Sequence, residues 1–565
     1  MTTTSATSTL PQQSESRATP LFTAREWLYV GVVILIVLAI TSVPFIYAYK
    51  SAPPDKQFMG VMVNIPDHFQ YFSWMRESQT HILVANQLTP EDSTPLLFNF
   101  LWWTLGRIQV LTGIPYDGLY QITRLLAGAF VIAATYFFCG IVFSNRAKRW
   151  TAFLIGVLGG GLGWLLVAEK TLRHLADVNS PFALYTSEPN TFFNILAFPH
   201  FAIAAGLITV IFGMVLLGQK SQKMKYVWAA AVLSLLLGVQ HSYDMFIIYP
   251  VIGMYALFIW ARDRKFPMYL FKMGIIVVLI SVWPALQAFY ITQADAVWKG
   301  VLSQFGNAGA WTPPPWLLPI LMGIPWLLAI WGLDIKTPWR ERDDTHLFIM
   351  AWFLSHFILI YVPLNFQIHL LSGWQVVTGI LATICLYKRI LPWLAKRFQK
   401  IPRERLALYA SVVLLLVVIP TNLYLIGWRL IDLRRAENPY YLRKTEVAAL
   451  DYVETQVQST DVVLASLDIG QFVPALTGAR SFLGHWAQTL DYYGKEKLVN
   501  AFFDPATPDA DREATLRQYH VSYVFYGPEE IKLGSFDPAT ASYLTEVYNQ
   551  GDTKVYKVDP ALVMG

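Results

Sequence analysis

Asp67 lies in the stretch Asn64-Ile65-Pro66-Asp67-His68-Phe69-Gln70-Tyr71, just past the first long apolar run, and apart from Asp55 it is the first acid after that run. A carboxylate at the edge of a membrane can serve as a general base, taking a proton from an acceptor hydroxyl as a bond to a lipid-borne phosphate breaks. A helix N-cap is the structural alternative, because Asp after Pro66 and before Phe69-Gln70-Tyr71 caps a helix well.

Ionisable groups at membrane depth are costly and point to function. Glu188, in Thr186-Ser187-Glu188-Pro189-Asn190, offers a second carboxylate to orient an acceptor or a metal, or is a loop acid before a proline turn. His200 opens an apolar run and either donates to a phosphate oxygen or caps an interface. His241 and Asp244 either pair with each other or face substrate. Asn365, Gln367 and His369 are phosphate or sugar contacts, or satisfy backbone in a short turn. His68 joins this substrate-binding set. Arg76 follows Asp67 by nine residues, neither three nor four, which argues against a helical ion pair; a lipid headgroup or a substrate phosphate is its expected partner. The His, Asp and Glu spacing contains no zinc motif, so no metal ligand is assigned. The cofactor is unknown, and a divalent metal held by distant carboxylates is compatible with the sequence.

These residues need a membrane scaffold. The 565 residues are 55% hydrophobic and only 14% charged, with a mean hydropathy of +0.41, whereas soluble chains carry about a quarter charged residues. Cys139 and Cys385 both fall in apolar runs, which excludes a disulfide framework. Residues 1–24, rich in Ser, Thr and Gln, read as a disordered cytoplasmic tail. Apolar runs predict about eleven spans, at 27–48, 119–143, 150–168, 199–218, 226–241, 244–261, 268–291, 315–332, 346–362, 370–387 and 406–428.

Lys and Arg concentrate in alternate loops: Arg146, Lys148 and Arg149; Lys220, Lys223 and Lys225; Arg262, Arg264 and Lys265; Lys336, Arg340 and Arg342; and the run from Lys388 to Arg405. By the positive-inside rule these loops and the N-terminus are cytoplasmic, and an odd span count puts the C-terminus outside. The candidate residues then converge on the outer face. Within the long outer loop 49–118, the apolar segment 96–111 is expected to be an amphipathic helix in the interface. Residues 307–319 read as a Pro-stiffened turn. From Tyr440 the composition turns polar. Strands near 462–465, 481–483, 521–525 and 554–558, with helices near 444–458 and 509–519, predict a small α/β domain over 440–565. It carries no nucleotide phosphate cradle, and no feature points to nucleic acid.

One span, then a large outer loop bearing Pro66-Asp67-His68-Phe69, then a multi-span bundle to about 430 and an outer C-terminal domain: this layout resembles the GT-C class of integral-membrane glycosyltransferases. Within that class it is similar to the protein mannosyltransferase and aminoarabinose transferase group. Tyr361-Val362-Pro363-Leu364-Asn365-Phe366-Gln367-Ile368-His369 is similar to a late segment of bacterial members. Gly470–Gly478 and Gly484-His485-Trp486 are similar to their C-terminal domains. Many relatives carry two acids together where this chain has Asp67-His68, and a basic residue where it has Ile368-His369.

The resemblance implies a multi-pass cell-membrane transferase. It would move a sugar from a polyprenyl-phosphate donor to a lipid, glycan or protein acceptor at the outer leaflet, with Asp67 as base. The rival from another class is a transporter or envelope-assembly factor on the same bundle, marked by ionisable residues at the midplane and Gly/Pro-broken spans in paired halves.

Overall fold

The computed structural model describes residues 22–304, 306 and 311–563. The first apolar run forms the helix Ala24–Ser51. Thr23 opens it reciprocally: Thr23 Oγ1 accepts the Glu26 N–H at 3.2 Å, and Glu26 Oε2 accepts the Thr23 N–H at 2.9 Å. The expected tail therefore ends by Thr23 rather than at residue 24, and its first 21 residues lie outside the described ones. Buried Glu26 also meets Arg149 at 2.9 Å and the Tyr136 hydroxyl at 3.1 Å, fastening this helix to the next two apolar segments.

Among the described residues, six helices are long and apolar enough to cross a membrane: Ala24–Ser51, Tyr116–Val142, Pro199–Ser221, Ser242–Asp263, Gln367–Arg397 and Arg403–Arg435. Three further segments qualify only as bent pairs, and Met224–Gly238 and Asp344–Leu359 are shorter apolar helices. Each predicted span maps onto one of these segments, but three are not straight. The 150–168 segment is Arg146–Leu158 plus Gly163–Arg173, bent by 47°; 268–291 is bent by 42°; and 315–332 turns by 110° at Gly323. The last helix runs to Arg435, past the boundary expected at 430.

Two of these breaks meet. Gly161 and Gly323 both have positive φ, and a Cβ on Gly161 would stand 2.2 Å from the Leu321 carbonyl oxygen. Backbone freed by the breaks is satisfied within the protein, as lipid requires. The Leu162 N–H donates to the Ile320 carbonyl at 2.7 Å and the Gly160 N–H to that of Val418 at 3.1 Å. The Asn422 amide donates to the Leu158 carbonyl at 2.8 Å.

Outside the bundle, β1 (Lys56–Phe58) pairs antiparallel with β2 (Tyr441–Arg443), tying the first loop to the start of the C-terminal region. The helix Ile65–Glu77 follows, and Phe100–Thr112, the helix expected at 96–111, packs on it through Trp102 and Leu105. Of the expected turn at 307–319, residues 307–310 lie outside the described ones, and Pro315–Leu317 forms a single 3-10 turn.

A five-stranded mixed sheet organises the C-terminal region. Its strands are β3 (Val462–Leu464), β4 (Arg480–Ser481), β5 (Val521–Tyr526), β6 (Leu544–Gln550) and β7 (Thr553–Val558), in the order β4-β3-β5-β7-β6. β3 is parallel to both β4 and β5, and β7 is antiparallel to β5 and β6. The edge strand β6 and the helix Tyr492–Phe503 were not anticipated. The first loop is laced to this unit by main-chain bonds. The Ser481 N–H donates to the Gln87 carbonyl at 2.9 Å, and Thr489 Oγ1 donates to that of Leu88 at 2.6 Å.

Glu530 is fully buried. Its Oε1 takes the Ser466 N–H at 2.9 Å and its Oε2 the Gly527 N–H at 3.0 Å. Burial nevertheless pushes its carboxyl up to about 7, and does the same to Glu446. A carboxyl whose folded-state value is raised stabilises the fold below its unfolded value and loses that contribution as pH rises through the folded one. Thermal unfolding of the full chain in detergent should thus shift to lower temperature from pH 5 to pH 8. Glu530→Gln should flatten that slope.

Candidate functional site

Asn64 adopts a left-handed conformation (φ 50°) and turns the chain into Ile65–Glu77, with Pro66 in the first turn, where proline lacks only an N–H that would go unpaired anyway. Asp67 is the third residue of that helix and does not cap it. Its charge lies at the positive end of the helix dipole. Residues 67, 70, 71 and 74 share one helical face, and Asp67, Gln70, Tyr71 and Trp74 all line a cavity of about 570 Å³.

Both Asp67 oxygens are held. Asn64 Nδ2 donates to Oδ2, and His485 Nε2 lies 2.6 Å from Oδ1. The His485 ring has a defined tautomer, because its Nδ1 accepts the N–H groups of Ala487 at 2.9 Å and Gln488 at 3.2 Å. The ring proton is therefore on Nε2 and points at the carboxylate. Thr489 fixes the His485 loop by accepting the Gly484 and His485 N–H groups at 3.0 Å each. Both ring nitrogens of His485 are thus engaged, and the Asp67 carboxylate it holds is 28% exposed.

Glu188 also lines the cavity; its Oε1 lies 2.7 Å from His369 Nδ1 and its Oε2 accepts from Ser187 Oγ at 3.1 Å. His200 and His241 line it too, their rings 5.3 Å apart. Tyr243 stacks on His369 at 4.8 Å, and Tyr71 stacks on Trp102 at 4.5 Å. His200 is buried, with its Nε2 3.5 Å from the Tyr71 hydroxyl, and its Nδ1 has no hydrogen-bond partner among the described residues. Among the described lining residues there is no Lys or Arg; donors come from imidazoles, amides and hydroxyls. No cluster of three or more His, Cys, Asp or Glu arranged to hold a metal ion occurs among the described residues.

The cavity thus brings together Asp67, Glu188, His200, His241 and His369 from the sequence-derived set, and leaves out five others. His68 is buried behind the helix, its Nδ1 2.9 Å from the Asn64 carbonyl and its Nε2 2.9 Å from the Tyr120 hydroxyl. Arg76 points away from the cavity, pairing with Glu454 at 2.6 Å and donating to the Leu476 carbonyl at 3.0 Å. Asp244 is fully buried behind His241, at 3.3 Å. Gln367 donates to the Val362 carbonyl at 2.7 Å and accepts from Thr312 N, so it serves its own turn. Asn365, similarly, reaches the Leu302 carbonyl at 3.3 Å. In the other direction, the sequence marks His485 only as part of the segment Gly484-His485-Trp486, and nothing local to it points to Asp67.

No family model matches the chain, and no curated protein matches it by sequence. Solved structures do match in fold. The oligosaccharyltransferase of Archaeoglobus fulgidus in its apo form superposes with a TM-score of 0.56 at 13% identity, covering 93% of this chain and 73% of that one. The same enzyme, AglB, in complex with an inhibitory peptide and a dolichol-phosphate gives 0.54 at 14% identity, over 94% and 74%. ArnT from Cupriavidus metallidurans bound to undecaprenyl phosphate gives 0.51 at 12% identity, over 96% and 99%. The chain has the multi-pass membrane fold of these GT-C glycosyltransferases.

Proposed function

We propose that this chain is an inverting membrane glycosyltransferase taking a sugar from a polyprenyl-phosphate carrier, with Asp67 as general base. Asp67 carries the reading: it is a carboxylate held on both oxygens at the wall of a large cavity, in a fold shared with enzymes whose structures contain polyprenyl or dolichol phosphate. In the reaction the acceptor hydroxyl oxygen bonds to the anomeric carbon and its proton passes to an Asp67 oxygen. The bond between that carbon and the phosphate oxygen breaks, releasing the polyprenyl phosphate. His200 and His369 face the departing phosphate in place of Lys or Arg, as preorganised N–H donors offsetting the developing charge. Glu188, through His369, orients that imidazole and the acceptor.

The clustering of Lys and Arg in the loops at the other end of the bundle supports an outer-leaflet setting for the cavity, by the positive-inside rule. Helix breaks of the kind a transporter uses are present, but at two of them, near Gly161 and Gly323, backbone groups bond to each other and to the last helix.

Purified chain in liposomes of membrane lipid extract, which supplies acceptor hydroxyls, should release polyprenyl phosphate from a polyprenyl-phosphate-linked sugar and glycosylate an extract component, both measured by mass spectrometry. No release with any such donor, alongside flux of a solute across the vesicle, would overturn the reading. Glu188→Gln should lower kcat/KM by about tenfold, less than a change at the base itself. Its signature is a raised acceptor KM.

A further inference from the structure

A second cavity of about 470 Å³ opens at the other end of the bundle, the end carrying the basic loops. Its walls are the helices Arg146–Leu158 and Arg403–Val418 and the stretch Leu386–Ile390, a π-helical turn that interrupts the Gln367–Arg397 segment. Such turns widen a helix locally. Here the widened turn presents Tyr387 to the cavity, with the Lys148 ammonium 5.6 Å above its ring.

The lining has two chemically different parts. Lys148 and Arg403 stand at the mouth, each on the first turn of its helix, where the helix dipole adds positive potential. Glu404 is the one acid among the lining residues, so the mouth stays net positive. Below it runs an apolar trough including Trp150, Leu154 and Leu415, floored by the Thr151–Ser411 hydroxyl pair at 3.0 Å. Leu408 and Val412 on its rim are exposed, at 59% and 43%. A cationic mouth over an apolar trough that opens sideways to lipid complements one kind of molecule: an anionic headgroup joined to acyl chains.

We propose that this cavity binds an anionic glycerophospholipid of the leaflet facing the basic loops. Its phosphate would lie between Lys148 and Arg403, and an acyl chain would run along the trough between the two helices. This site is separate from the Asp67 cavity, and it stands or falls independently of the transfer reaction.

The test uses the full chain in detergent, with phosphatidylglycerol or phosphatidylcholine added in parallel. Lipid adducts are counted by native mass spectrometry and protection is read from thermal unfolding. Wild type should retain phosphatidylglycerol in preference to phosphatidylcholine. The double variant Lys148→Ala/Arg403→Ala should lose about tenfold or more of that preference, since both cations that attract the anionic headgroup are gone. Arg403→Gln, at an exposed position that does not endanger folding, should lose part of it. Lys396→Ala/Lys400→Ala, an equal charge change outside the cavity, should lose none. The proposal is overturned if wild type shows no preference, if the Lys148/Arg403 variants keep it, or if the control pair loses as much. Equal protection by inorganic phosphate alone would also overturn it, because the trough would then play no part.

Discussion

Asp67→Asn should cut the proposed sugar transfer sharply: kcat is expected to fall by about 10²–10⁴-fold, the range a positioned general base contributes, while the chain still purifies as a folded protein. The substitution keeps size and shape but removes the basic oxygen. It also creates a local conflict. Both neighbours of the carboxylate, Asn64 Nδ2 and His485 Nε2, are donors, so the new amide turns its own NH₂ toward one of them. One hydrogen bond is lost at a part-exposed site, costing about 1 kcal/mol. A small fall in unfolding temperature with donor lipid still bound, together with loss of turnover, is the expected pair of results. Transfer at the wild-type rate would remove Asp67 as the base.

His485→Ala leaves Asp67 in place but unsteadied. Because His485 has no free ring nitrogen for the reaction, its loss acts through the carboxylate's position, and misplacing a reacting group by about 1 Å costs about 10²-fold. The fall should appear in kcat, with donor KM little changed. His485→Gln keeps an N–H donor at nearly the same reach and should recover most of the rate. If the alanine variant lost activity only by unfolding, Gln would rescue stability and rate in step. Rescue of kcat at unchanged unfolding temperature separates the positioning role from a structural one.

The membrane scaffold could be read from the chain because a 20-residue apolar run and a cluster of Lys and Arg are local signals. The breaks in three segments were harder to see. Gly159, Gly160 and Gly161 lie inside a run that stays apolar, and what turns the chain there is the close approach of the Leu321 carbonyl from a distant segment. Asp67 was legible for the same local reason. Its neighbours were not, although helix periodicity carried a hint. Arg76 lies nine residues on, roughly two and a half turns, and so points to the opposite face. His68, about 100° around the helix, turns into the protein behind it. Gln70, Tyr71 and Trp74 are the residues that periodicity sends to Asp67's side, and they line the cavity. His485 lies 418 residues from Asp67. Their meeting depends on the lacing of residues 86–89 to the loop around Thr489, a tertiary arrangement without a sequence period.

That separation has a consequence for the making of the protein. The membrane bundle and the loop bearing Asp67 are synthesised and inserted well before the ribosome reaches the codon for His485. In a nascent chain Asn64 is then already at hand to hold one Asp67 oxygen, while the partner of the other has not yet been made. The second hold on Asp67 therefore forms only after residue 485 has been synthesised and the loop around Thr489 has met residues 86–89.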